Sequence, residues 1–140
     1  MIKVYRITHR YDKKSIDSEI LIGFFTSLEK CHMVIQHYRT LMGFKDYKNC
    51  FKIKSYWVSN MAIKHNAVYK VDYYWDETMS VDCNNAIYCG LGVYAKQKNA
   101  IKMAMWSSKI LVYLLKKGEV ICEKYVLDKC DWPEGFTIVP

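Results

Sequence analysis

The sequence predicts an α+β protein made of two tandem β-β-α-β units, each an antiparallel sheet covered by one helix. Two observations lead there. The first is alternation. Tyr5, Ile7, His9 and Tyr11 alternate with Val4, Arg6, Thr8 and Arg10, as on a strand with one buried face. The second is internal repetition. Val4–Asp12 aligns with Val68–Asp76 at an offset of 64, and Ile22–Cys31 aligns with Leu91–Ala100 at an offset of 69. The larger offset persists where Phe51–Tyr56 meets Val120–Tyr125, so one five-residue length difference in the first hairpin accounts for the whole shift. The units are placed at 1–60 and 67–140, with Asn60–Asn66 between them, an arrangement that also allows one compact pseudo-symmetric domain.

Each element has a local cause. After the first strand, polar Asp12–Ser18 makes a hairpin connection, and β-branched and aromatic Glu19–Phe25 is the return strand. Thr26-Ser-Leu-Glu29 reads as a capping box, which would satisfy two orphaned amides at a helix start. Cys31, Val34, Ile35, Tyr38 and Met42 follow at helical spacing, Gly43 stops the helix, and Phe51–Val58 is the third strand. The second unit repeats the order with Ala67–Trp75, Ala86–Tyr94 and a longer helix from Gln97 to Lys117. The stripe of that helix is Ala100, Met103, Ala104, Ser107, Ile110, Leu111 and Leu114, and strand Glu119–Leu127 comes after Gly118. Gly90-Leu-Gly92 lies inside a strand, where a β-bulge is expected rather than a phosphate loop. Asp131–Phe136 closes the chain as a turn.

Composition narrows the function classes. Of 140 residues, 51 % are apolar and 25 % charged, which excludes a disordered chain. No apolar run approaches the ~18–20 residues of a membrane span, so no membrane association is expected. Met1–Arg6 already reads as strand, so no secretory signal is expected. The protein is placed in the cytoplasm, of the host cell if the source is viral. The six cysteines are then expected as free thiols. None forms a C-x-x-C pair, and His9, His32, His37 and His65 supply no H-x(3)-H pair, so neither metal nor cofactor is expected. Charge is one-sided. Residues 1–64 hold 12 Lys/Arg against 5 Asp/Glu, whereas 65–140 hold nine of each, which biases the first unit toward an acidic partner.

Ile22-Gly-Phe-Phe-Thr-Ser-Leu-Glu-Lys30, a helix, Gly43-Phe-Lys-Asp-Tyr47 and Phe51-Lys-Ile53 together resemble a short domain of unknown function in bacterial and phage proteins. That family runs strand, hairpin, helix, strand and often closes with a W-x-E-G-F element. Here Trp132-Pro-Glu-Gly-Phe136 comes only after the second unit, and the second unit lacks the G-F-x-D-Y loop. The resemblance covers 2–58 well and 67–136 loosely, and it implies fold but no chemistry. By analogy with small phage proteins of this character it implies a phage or mobile-element protein acting against a host defence.

No enzyme signature is present: G-x-x-x-x-G-K, H-E-x-x-H and G-x-S-x-G are all missing. The acids Asp12, Asp17 and Glu19, and Asp76, Glu77 and Asp82, fall in hairpin connections without the desolvation that raises a catalytic carboxyl. His9, between apolar neighbours, is expected in the core. Strand parity yields a sharper candidate. If Tyr5, Ile7, Tyr11, Phe51, Ile53 and Trp57 face the helix, then Arg6, Thr8, Arg10, Lys52, Lys54 and Tyr56 share the other face. Guanidinium groups interleaved with an aromatic ring suit a phosphate-bearing small ligand such as a signalling nucleotide. The matching face of the second unit carries Lys70, Asp72, Tyr74, Ile121, Glu123 and Tyr125 and is mixed in charge. A competing arrangement packs the two faces together, Arg6 and Arg10 pairing with Asp72 and Glu123. The alternative function is a protein–protein inhibitor of a host defence protein, with Trp106 and Tyr113 on the flank of the long helix as partner or homodimer contact. Direct RNA or DNA binding is the third.

Overall fold

The computed structural model describes residues 1–14, 18–76, 86–112 and 118–138. Tyr113, Leu114, Cys83 and the loop acids Asp17, Glu77 and Asp82 lie outside the described residues. In chain order the elements are β1 (Ile2–Arg10), β2 (Glu19–Phe25), α1 (Leu28–Tyr38), β3 (Phe51–Val58), α2 (Met61–His65), β4 (Ala67–Asp76), β5 (Ala86–Tyr94), α3 (Gln97–Ser107) and β6 (Glu119–Val126). They form two three-stranded antiparallel sheets, ordered β2-β1-β3 and β5-β4-β6, so the first strand of each unit is central in both. The α+β class and the β-β-α-β order follow the sequence reading.

The same irregularity marks both sheets. In the first, Ile7 faces Gly23 and Thr8 faces Leu21, leaving Ile22 as the extra residue of a bulge. In the second, Val71 faces Gly92 and Asp72 faces Gly90, leaving Leu91. These positions are related by the offsets of 64 and 69 seen in the sequence. Gly92 has φ +127, and a Cβ there would lie 2.8 Å from the Tyr94 hydroxyl. At Gly23 the Phe25 ring stands 3.2 Å from the same hypothetical atom. An aromatic two residues along thus covers each bulge glycine, and a side chain would collide with it.

The compact units are not consecutive in the chain. One comprises Lys3–Trp57 with Leu127–Pro140, the other Val58–Val126 with Met1–Ile2. The closing segment, which a linear division at 67–140 assigns to the second unit, belongs to the first, and the second unit interrupts it. The cause is backbone pairing along β2. Leu127 forms a parallel bridge with Phe24, and the amides of Asp128 and Asp131 donate to Phe24 O and Ile22 O at 2.8 and 2.7 Å. Further on, Phe136 N donates to Met42 O at 2.9 Å, and the Tyr38 hydroxyl donates to Trp132 O.

The core of this unit is built by Ile7, Ile20, Ile22, Phe25, Cys31, Ile35, Tyr38 and Phe44, with Tyr5, Phe51, Ile53 and Phe136 packed against it. His9 is fully buried, edge-on to Phe44 and Phe51 at 4.8 and 4.7 Å between ring centres, with Phe136 at 5.7 Å. Tyr11 stacks on Phe136. Two expected core residues are not inside. Trp57 is 62 % exposed, carrying Lys3 over its ring at 4.9 Å, and Met42 is 61 % exposed. α1 spans only 11 residues, about 16 Å at 1.5 Å per residue, and its C-cap is Arg39. The chain then turns through Gly43 so that Phe44, in a short 3-10 turn, enters the core.

The capping box is also corrected. Ser27 is the N-cap, accepting from Lys30 N at 3.2 Å, whereas the Thr26 hydroxyl and amide are held by the Asp128 carboxylate. In the other unit α3 lies across β4, β5 and β6. Ala100 and Ser107 are buried, and the α-helix gives way at Ser108–Val112 to a π turn instead of running on regularly. The stretch Asn60–Asn66, which the sequence places between the units, is helical, α2, ends at Asn66 in the left-handed conformation, and belongs to the Val58–Val126 unit.

Candidate anion-binding site

The face of the first sheet that carries Arg6, Thr8 and Arg10 is not one continuous patch. At one end Val4 and Phe24 are fully buried. There Arg6 stands over the Tyr56 ring at 5.6 Å, Lys54 Nζ approaches the same ring at 5.3 Å, and Phe24 packs on it at 6.3 Å. Cation–π contacts of this kind contribute about 0.5–1 kcal/mol when exposed and more when desolvated. The Arg6 Nε is buried and has no acceptor among the described residues. Arg6, Lys54 and Tyr56 are therefore engaged with one another and stand apart from the remaining three candidates.

Thr8, Arg10 and Lys52 converge at the other end. They line a cavity of about 470 Å3 together with Lys13, Glu19, Asn49, Cys50 and Phe51. Each wall has a structural origin. Arg10 and Glu19 are opposite residues of the β1–β2 pair, and Arg10 Nη2 lies 3.3 Å from Glu19 Oε2. Such a cross-strand pair contributes well under about 1 kcal/mol, but it orients the guanidinium and leaves its other N–H donors for a ligand. Thr8 is 5 % exposed, two residues along on the same face. Lys52 is the first outward residue of β3 after Phe51 and is exposed.

The turn before β3 is tied down from three sides. Arg10 N donates to Cys50 O at 3.2 Å, Cys50 N donates to Tyr47 O at 3.2 Å, and His9 Nε2 lies 2.9 Å from Tyr47 O. A carbonyl only accepts, so His9 Nε2 carries the proton, and Nδ1 is left buried without a partner among the described residues. Burial lowers the His9 pKa below its ordinary 6.5, against the Tyr47 carbonyl, which raises it. His9 is a core histidine, as its neighbours in sequence imply, and its work is to position the 47–50 turn.

Sequence reasoning missed Lys13, Asn49 and Cys50. Lys13 sits in the polar hairpin, whose ends are closed by Ser18 Oγ donating to Asp12 O at 2.8 Å and by Lys14 N donating to Asp12 Oδ1 at 2.9 Å. The signal available for it was this Asx turn. In the second unit, Lys70 Nζ pairs with Asp72 Oδ2 at 2.6 Å, so Asp72 has its partner within its own strand. The described cysteines are free thiols, and no three His, Cys, Asp or Glu side chains among the described residues cluster as a metal site would require. No helix among the described residues is long and apolar enough to cross a membrane. No protein-family model, no curated protein and no solved structure matches the chain.

Proposed function

We propose that the protein is a non-enzymatic binding protein that sequesters a phosphate-bearing ligand such as a signalling nucleotide, in the setting of a phage or mobile element countering a host defence. One observation carries this reading: Arg10, Lys13 and Lys52 surround a single cavity of about 470 Å3 whose wall includes the buried Thr8. That volume lies within the range of small-ligand pockets, and charged donors around a threonine hydroxyl are suited to phosphate oxygens. The test is a thermal-shift and calorimetric screen of mono- and cyclic nucleotides. A saturable rise in Tm is expected, worth about 2.7 kcal/mol at a hundred times Kd. Lys52→Ala, which removes an exposed side chain only, is expected to abolish that rise without altering the ligand-free Tm. Flat curves with every nucleotide would overturn the reading.

A second reading rests on α3, where Ile101, Met105 and Trp106 are 43, 58 and 61 % exposed. Here Trp106 is the centre of a surface for a host protein or a second copy of the chain. Trp106→Glu would then abolish partner or self-association and leave nucleotide binding untouched.

A further inference from the structure

The turn that closes the first cavity has a second cavity on its other side, of about 360 Å3. α1 and its C-cap contribute His32, Gln36 and Arg39 to it, residues spaced to share one helical face, and the turn contributes Lys48. Asn49 and Phe51 line both cavities, which therefore share a wall at the start of β3. β3 is an edge strand of the order β2-β1-β3, so no further strand of this sheet covers the turn.

Charge favours the same kind of ligand on both sides. Three cations stand against one carboxylate around the first cavity, and Arg39 and Lys48 stand against none around the second. Arg39 is half-buried, and its Nε donates to Lys48 O at 3.1 Å, which fixes the guanidinium on the cavity wall. Neither Arg39 nor Lys48 has an ion-pair partner among the described residues. Between the two cationic groups lies Phe51, half-buried and stacked on Phe44. Proteins hold single-stranded nucleic acid by combining cationic groups along the backbone with aromatic side chains against the bases. Inorganic polyphosphate would leave the Phe51 and Ile53 walls unused.

We infer that the two cavities are paired subsites for successive phosphates of a short single-stranded nucleic-acid segment, one held by Arg10 and Lys52, the next by Arg39 and Lys48, with a base against Phe51. This rests on the reading of the first cavity given above and deepens it. The hydrogen bonds to Tyr47 O and Cys50 O hold the turn between the subsites in place before any ligand arrives, which limits the ordering cost of binding.

Calorimetric titration of AMP, the 5′-phosphorylated dinucleotide pApA and a 5′-phosphorylated hexa-adenylate tests the inference. The dinucleotide is expected to bind at least tenfold more tightly than AMP, and the hexamer at least as tightly as the dinucleotide. Lys48→Ala leaves the carbonyl that Arg39 uses, so the fold stays intact. It is expected to weaken pApA at least fivefold and to leave AMP unchanged. The same variant should reduce the slope of log K against log salt for pApA by about 0.7, the value for one phosphate contact on a single strand. If AMP binds but pApA binds no better, or if Lys48→Ala weakens both alike, the paired subsites are refuted and the first cavity stands. A hexamer that binds more weakly than pApA refutes the strand. If neither AMP nor pApA binds, the paired subsites are refuted, and the reading of the first cavity falls as well only if the nucleotide screen is flat throughout.

Discussion

Gly43 tests how the closing segment is held. Its backbone lies at φ +83, ψ −57, a region that L side chains rarely adopt, and forcing alanine into it costs on the order of 1–3 kcal/mol. The new Cβ would also lie 2.3 Å from Phe136 O and 2.8 Å from the Phe136 ring. That contact is impossible, so the segment must move. Moving it breaks the 2.9 Å bond from Phe136 N to Met42 O, worth about 1 kcal/mol, and withdraws the ring from His9, Tyr11 and Phe44. Phe136 is half-buried, so losing its packing costs about half of the ~3–5 kcal/mol of a buried phenylalanine. These contributions overlap, because releasing the segment relieves the clash. Gly43→Ala is therefore expected to cost about 2–4 kcal/mol, a large share of the ~5–15 kcal/mol typical of a domain. Urea unfolding followed by far-UV circular dichroism reads it. Gly90→Ala is the control, since its Cβ would meet nothing nearer than Asp72 Oδ1 at 3.9 Å, and a change within about 0.5 kcal/mol is expected. In the double variant Gly43→Ala/Phe136→Ala the two costs should fall well short of additive, because the first substitution already expels the ring. A Gly43→Ala cost below about 0.5 kcal/mol, or strict additivity, would refute the docking of the closing segment.

Three other outcomes centre on His9, Asp128 and Cys31. His9 has a lowered folded-state pKa, so its neutral form stabilises the fold fully above 6.5. That contribution is lost as pH falls below 6.5, because the unfolded chain takes up the proton first. His9→Gln keeps a donor toward Tyr47 O and should flatten the fall in urea midpoint between pH 7 and 5; an unchanged fall would show that His9 is not its source. Burial raises the Asp128 pKa, but the hydrogen bonds from Lys30 and Thr26 outweigh it and hold the carboxyl below 3.8. Its stabilisation is present above 3.8 and lost as pH falls further, so Asp128→Asn should cost about 0.5 kcal/mol at pH 7, and the difference should vanish in strong acid. Cys31 is fully buried, its thiol pushed up to about 11 chiefly by that burial, with Asp128 adding to it. Cys31→Ala should leave the count of rapidly labelled thiols unchanged, whereas Cys89→Ala should lower it by one, since Cys89 is exposed.

The sequence carried the sheet pattern because strand parity and the two glycine bulges are local signals. Ile7 and His9 face the core, and Gly23 and Gly92 bulge at matching places, as period and repeat require. Half of the candidate site was legible for the same reason: parity put Thr8, Arg10 and Lys52 on one face. Parity says nothing about position along the strand, however. It could not separate these three from Arg6, Lys54 and Tyr56, which are gathered by the Tyr56 ring. It also could not show that the cavity is completed by a hairpin lysine and by the turn ahead of β3.

The closing segment was the hardest part to read, because it is held mainly by backbone groups. Its place is marked by glycines whose missing side chains make room for carbonyls. A Cβ at Gly23 would stand 2.4 Å from Lys129 O, and one at Gly135 would stand 2.4 Å from Met42 O. Alone, Gly43 reads as a helix stop and Gly135 as a turn residue. They gain a joint meaning only in the fold, where Gly43 makes room for Phe136 O and Gly135 for Met42 O. The segment also bears on the candidate site, because it reaches the core histidine from outside. Phe136 packs on His9, His9 holds Tyr47 O, and that carbonyl anchors the turn between the two cavities. On the nucleotide-binding reading proposed above, loosening the segment, as in Gly43→Ala, should therefore weaken binding as well as stability, even though Gly43 lines neither cavity.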